Sequence, residues 1–127
     1  KEIKAMGPVD GILVDVHAEA TSEKQAIGWH FDGRVAAVVG THTHVPTADE
    51  RILPRGTAFI TDVGMTGPYD SVIGMDCQAA IKRLRSQRRG RHLMATNNVK
   101  LCGVVIEMDP KTGKSKSIRR IMEDIPT

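Results

Sequence analysis

Aromatic side chains are nearly absent from this sequence: one Trp, one Tyr and two Phe, 3% of 127 residues. A core here must rest on Val, Ile, Leu, Ala and Met, which suits a parallel sheet covered by helices. It also argues against an aromatic platform for stacking successive bases. Cysteine is as scarce. Cys77 and Cys102 fall at an expected helix start and in an expected strand, an arrangement that fits neither a disulfide framework nor a metal-knuckle spacing, so both are read as ordinary thiols. No apolar run approaches the roughly 18 to 20 residues that cross a bilayer, and no basic-then-apolar leader is read at the start. The expectation is a soluble, cytoplasmic protein with no membrane partner. Neither sign of charge is in strong excess, 18 basic against 15 acidic side chains for a net +3, which by itself says little about partners.

What is present is enough for one modest domain with a core of its own. The chain starts at Lys1 and moves almost at once into a strand, so the expectation is an excised piece, a single partial domain over residues 1–127. The basic residues gather locally in Lys82, Arg83, Arg85, Arg88, Arg89, Arg91 and His92. That cluster suits either the solvated C-terminal end of a helix, where cations face the negative pole of the dipole, or a phosphate-bearing partner.

Residues 11–16 (GILVDV) read as a buried strand ending at His17, and residues 35–39 (VAAVV) as a second one. Between them, residues 20–31 carry helix formers, with Thr21 or Ser22 as the expected N-cap, Ala26, Ile27 and His30 at helical spacing, and Asp32-Gly33 as the stop. Strand, helix and strand in about 30 residues make a βαβ crossover with parallel strands. Farther on, residues 51–53 and 57–61 read as short strands around the turn 54–56, and residues 62–74 as a glycine-rich loop. Residues 76–87 read as a helix, and residues 100–109 and 114–122 as an antiparallel pair.

The chemistry gathers where the βαβ strands end. Open α/β sheets bind ligands at the carboxyl ends of their strands. His17 ends the first strand and His42-Thr43-His44 follows the second. Two residues apart on extended or turning backbone, the imidazoles of His42 and His44 are expected to face the same way and reach neighbouring metal positions. Three neutral imidazoles suit Zn, Fe, Mn or Ni better than Ca or Mg, which prefer oxygen.

At these residues the sequence resembles a known family. Gly40-Thr41-His42-Thr43-His44 looks like the closing G-H-x-H motif of calcineurin-like metallophosphoesterases, with His17 as an earlier lone histidine ligand. The strings at residues 15–24 (DVHAEATSEK) and 61–70 (TDVGMTGPYD) resemble the bacterial YmdB-like branch, described as cyclic-nucleotide phosphodiesterases. The likeness covers nearly the whole chain. It implies the C-terminal half of an α/β/β/α metallophosphoesterase sandwich, a βαβ unit followed by mostly antiparallel strands. It further implies two divalent or trivalent transition-metal ions (Fe, Mn or Zn), His17 and His42 on one and His44 on the other, acting on a phosphodiester or cyclic nucleotide. Asp15, Glu19 or Asp49 would hold the imidazole rings from behind, and the glycine-rich loop around Gly64, Thr66 and Gly67 would face a phosphate with its backbone N–H groups.

The departures are equally specific. Asp15-Val16-His17 resembles the family's opening D-x-H, but the G-D and G-N-H segments that should follow it do not, so His17 takes the later lone-histidine role. A Thr stands between Gly40 and His42. The acidic ligands, the Asn ligand and the general-acid His are expected in a missing N-terminal half, whose strands would cover the edge of residues 11–16. A chain left without them is expected to self-associate as a homo-oligomer and to lack turnover. Three further readings compete: an inactive metal-binding or oligomerising fragment, a mononuclear three-histidine zinc site, and RNA binding through residues 82–92. The last is disfavoured by the lack of aromatics.

Overall fold

The computed structural model describes residue 5, residues 7–87 and residues 92–126. Two sheets form. The first has the order β1 (Leu13–His17), β2 (Ala37–Thr41), β4 (Ala58–Ile60), β3 (Arg51–Ile52), and the second joins β5 (Gly67–Pro68), β6 (Val99–Asp109) and β7 (Lys114–Asp124). β1, β2 and β4 run parallel, β3 pairs antiparallel with β4, and the second sheet is antiparallel throughout. The fold is thus the expected mixed α/β one, with a βαβ unit followed by antiparallel strands.

Helix α1 (Thr21–Phe31) makes the crossover from β1 to β2. Its N-cap is Ala20, with no side-chain cap bond, in place of the expected Thr21 or Ser22. Its inner face is formed by Lys24, Ile27, Gly28 and Phe31, at the i, i+3, i+4, i+7 spacing of one helical stripe. Ala26 and His30 lie outside that stripe and are exposed. Gly28 is there because of close approach: a Cβ would sit 2.6 Å from the Phe59 ring on β4. Val35, Val38, Leu53 and Phe59 form the buried core, with Ile12, Val14, Val16, Ile27 and Phe31 packed around them.

β2 is buried on both faces, as a central parallel strand should be. β1 differs from its expected full burial. It alternates, with Val14 and Val16 turned to the core and Leu13, Asp15 and His17 exposed, because it is the edge of its sheet. The sheets are tied at one end by Ser115, whose N–H donates to Gly56 O at 2.8 Å and whose hydroxyl donates to Ala36 O at 2.7 Å. Helix α2 (Cys77–Ser86) starts on Asp76, whose side chain accepts from Ala79 N. Of the basic cluster, Arg88, Arg89 and Arg91 lie outside the described residues; Arg83 contacts His92 Nε2 at 2.9 Å.

One charged pair runs through the first layer. Lys24 and Asp62 are both wholly buried, and Lys24 Nζ meets Asp62 Oδ2 at 2.8 Å. The same oxygen accepts from Thr43 N at 3.0 Å, and Asp62 Oδ1 accepts from Gly64 N at 2.9 Å. Thr47 closes the circuit, its N–H donating to Asp62 O at 3.0 Å and its hydroxyl oxygen accepting from Asp62 N at 2.9 Å. Burial alone would raise the Asp62 pKa, but the hydrogen bonds from Lys24, Gly64 and Thr43 outweigh it and hold the carboxyl below the ordinary carboxylate range. Asp49 is held low in the same way, its hydrogen bonds from Thr47 and Thr61 outweighing its desolvation.

Three outcomes follow. Gly40→Ala would put a Cβ 1.7 Å from Thr61 O, and is expected to lower the free energy of unfolding by about 3 kcal/mol or more; an unchanged urea midpoint would show that the β2–β4 spacing is soft. Lys24→Met strands a buried carboxylate and should cost about 3 to 5 kcal/mol on the same measurement. Because the folded pKa values of Asp62 and Asp49 are depressed, their contribution is present above the unfolded value of about 3.9 and is lost as pH falls through the lower folded values. Urea midpoints taken between pH 6 and pH 2.5 should fall on that limb, and less steeply in Asp62→Asn.

Candidate metal centre

The parallel register of β1 and β2 sets His17 beside Thr41. The Thr41 hydroxyl donates to Asp15 Oδ1 at 2.8 Å and lies 3.0 Å from His17 Nδ1. A hydroxyl whose proton points at a carboxylate can only accept from the ring, so this network puts the His17 proton on Nδ1 and the lone pair on Nε2. That lone pair faces His42 Nδ1 at 3.1 Å, the rings edge to face with centroids 4.8 Å apart. On its far side, His42 Nε2 meets Glu19 Oε2 at 3.0 Å, which makes Nε2 the protonated nitrogen of a neutral His42. In the Nε2–H tautomer of His42 its Nδ1 lone pair faces that of His17 Nε2, an arrangement relieved by a cation held by both nitrogens or by a second proton on His42.

The separation suits such a cation. Two nitrogens at 2.0 to 2.1 Å from one ion span 3.1 Å when the angle between them is about 100°, within the range of a tetrahedral to octahedral centre. His44 stands apart. Its Nδ1 is 2.9 Å from Ile73 O, and since a carbonyl only accepts, Nδ1 carries the proton and Nε2 the lone pair. Among the described residues, no three His, Cys, Asp or Glu side chains are grouped so as to hold a single ion. Of the three expected ligands, the structure brings two together and turns the third toward the 72–75 turn.

Backbone conformation explains how an HxH segment does this. His42 and His44 both have positive φ, 104° and 68°, a region that non-glycine residues enter only when their surroundings enforce it. The enforcing contact is the bond from Thr43 N, between them, to Asp62. The segment therefore leaves extended geometry directly after β2, and alternate side chains no longer face the same way.

The other expected residues divide. Asp15 supports His17 through Thr41, and Glu19 pairs with His42. Asp49 lies off the rings: it accepts from the Thr47 hydroxyl at 2.6 Å and from Thr61 N and its hydroxyl, so it braces the segment leading to Asp62. Gly64 has φ 84° and directs its N–H to Asp62, so that group is engaged inside the protein. Thr66 exchanges long bonds of 3.4 Å with the Cys102 backbone, and Gly67 belongs to β5. Lys24, Thr41, Thr47 and Asp62 were not singled out from sequence. The available signal was a lysine at an inward slot of an otherwise apolar helical stripe, which demands a buried counter-charge.

Comparison with known proteins meets this geometry. A family model described as "YmdB-like protein" matches residues 1–121. A Bacillus subtilis (strain 168) relative, "2',3'-cyclic-nucleotide 2'-phosphodiesterase", is 59% identical over 111 residues, 87% of this chain and 42% of the relative. The crystal structure of a hypothetical protein from Thermus thermophilus superposes with TM-score 0.87 at 37% identity, over 99% of this chain and 52% of that one. That of a novel phosphatase from Mycoplasma pneumoniae gives TM-score 0.86 at 44% identity, over 98% and 46%. The chain thus spans about half the length of the relatives it matches. Among the described residues, no helix is long and apolar enough to cross a membrane. By its family model, its close relatives and its mixed α/β fold, the chain belongs to the YmdB-like family of the metallophosphoesterase superfamily.

Proposed function

We propose that this chain supplies part of a metal-dependent phosphodiesterase site acting on cyclic nucleotides, with His17, His42 and His44 as its metal-ligating side chains. The observation that carries the reading is the convergence of His17 Nε2 and His42 Nδ1, 3.1 Å apart, with both outer nitrogens already engaged by Thr41 and Glu19. The B. subtilis relative's name supports the substrate class. When bound, two transition-metal ions of the Fe, Mn or Zn kind supply Lewis acidity toward the phosphoryl oxygens and lower the pKa of an attacking water.

The chain's own residues do the positioning. Thr41, oriented by Asp15, fixes the His17 tautomer; Glu19 does the same for His42; the Ile73 carbonyl does it for His44. All three ligands are neutral, so carboxylate ligands and the group that protonates the leaving oxygen are assigned to the remainder of a longer protein. On this reading residues 1–127 are one partial domain, the C-terminal half of the metallophosphoesterase unit, and self-associate when alone through the open β1 edge.

In the full-length protein, His42→Ala or His44→Ala should lower metal-dependent hydrolysis of a 2',3'-cyclic nucleotide by at least about a hundredfold, while the melting temperature stays within a few degrees. Undiminished turnover would remove that residue from the site. Thr41→Val, which frees the His17 ring without removing a ligand, should cost about 10- to 100-fold in metal affinity by calorimetry. The 127-residue chain alone should scatter light as an oligomer and hydrolyse no faster than buffer with metal; a monomer with metal-dependent turnover lost in His44→Ala would place the complete site within it.

A further inference from the structure

Next to His44 lies a groove of about 360 Å³ that no step above uses. Its walls are the turn at residues 72–75 and the segment at residues 92–94, and backbone bonds set both in place. Met75 N donates to Val72 O at 3.0 Å and Val72 N to Met75 O at 2.9 Å; Asp76 N donates to Leu93 O at 2.9 Å and Ala95 N to Gly74 O at 3.0 Å. The walls are thus preformed, and they hold apolar side chains out in solvent: Leu93 is 53% and Met94 81% exposed.

The chemistry of the lining is narrow. Among the described residues, none of its lining is Asp, Glu, Lys or Arg. Most of its side-chain polar atoms already have partners inside the protein, His44 Nδ1 with Ile73 O, the Thr66 hydroxyl with the Cys102 backbone and His92 Nε2 with Arg83, while His44 Nε2 is the atom left for the phosphate-handling centre. What remains for a ligand is the thioethers of Met65, Met75 and Met94 and the aliphatic side chains of Ile73 and Leu93. Soft, unbranched thioethers favour aromatic rings, with a sulfur at the ring edge, and adapt to rings of different shape. A lining whose described residues carry no carboxylate, lysine or arginine favours an uncharged ligand over an anion. Its volume is at the small end of sites that take one small molecule.

We propose that this groove takes the nucleobase of the substrate whose phosphodiester lies at His44, gripping it as a flat uncharged ring without reading its hydrogen-bonding edge. This rests on the cyclic-nucleotide reading of the site. Continuity decides the occupant: His44 is at once an expected ligand of the phosphate-handling centre and part of the groove's lining, so one molecule with a phosphate at one end and a ring at the other engages both. Discrimination among bases should be weak, because strong discrimination needs buried polar groups left unpaired by the wrong ligand.

The test uses the full-length protein with methyl-¹³C methionine, held metal-free by chelator, titrated in parallel with a nucleoside 3'-monophosphate and with a ribose phosphate that lacks the base. The nucleotide should shift the Met65, Met75 and Met94 methyl resonances, and the base-free ligand should not. Leu93→Asp combined with Met94→Asp, both at exposed positions, should weaken nucleotide binding by about tenfold more than base-free binding. With metal restored, kcat/KM for the four nucleoside 2',3'-cyclic phosphates should agree within about tenfold. Equal methyl shifts from both ligands, or a base preference beyond about a hundredfold, would overturn the proposal. So would methyl shifts that appear without ligand as the protein dimerises, because a second copy would then fill the groove. Nucleotide-specific methyl shifts in a protein that hydrolyses no cyclic nucleotide would support the groove and count against the phosphodiesterase reading alone.

Discussion

The buried ion pair between Lys24 and Asp62 is the contact on which the candidate centre depends. A lysine and an aspartate with no solvent exposure survive only because each neutralises the other and the carboxylate is further satisfied by Thr43 N and Gly64 N. The pair joins the crossover helix to the end of β4, and through its two oxygens it sets the course of both loops that leave the sheet. The positive φ angles of His42 and His44 follow from that grip. Close approach is the other half of the device, since Gly40 lets β2 lie so near the backbone of Thr61 that no side chain fits between them. Glycine there, and lysine on the helix, are two parts of one packing solution.

Upon this scaffold the imidazoles are oriented by neighbours that each settle one proton. Thr41 and Asp15, Glu19, and the Ile73 carbonyl take one nitrogen of His17, His42 and His44 respectively and leave the other as a lone pair. Ile73 itself sits at φ 48°, unusual for a β-branched residue. The strain falls at the point where the groove beside His44 meets the candidate centre, so one turn both orients the His44 ring and shapes the wall next to it.

The two sheets divide the labour. The parallel sheet carries the histidines at its strand ends, where loops diverge. The antiparallel sheet lies against β3 and β4, pinned by Ser115 and by the Arg120–Glu50 ion pair. Its short strand β5 brings the segment before the 72–75 turn alongside β6, which places the groove next to the histidines. Helix α2 buries only Ala80 and contributes little to either core.

Much of this was legible in the residues themselves. Apolar runs, helix formers and the Gly and Pro positions located β1, α1, β2, β4, α2, β6 and β7 to within a residue or two, because local backbone preference and period operate over a few neighbours. The motif order placed His17, His42 and His44 at one end of a parallel sheet for the same reason. Which nitrogen carries a proton, which carboxylate serves which ring, and which imidazoles meet were decided by tertiary structure alone. Asp49, two residues beyond Thr47, turns to Thr61 while Asp15 reaches His17 through a threonine on the next strand. Such choices depend on register across the sheet and on a lysine 38 positions from its partner in sequence. A buried charge is stable only where the folded chain supplies its counterpart, and no local pattern states where that will be.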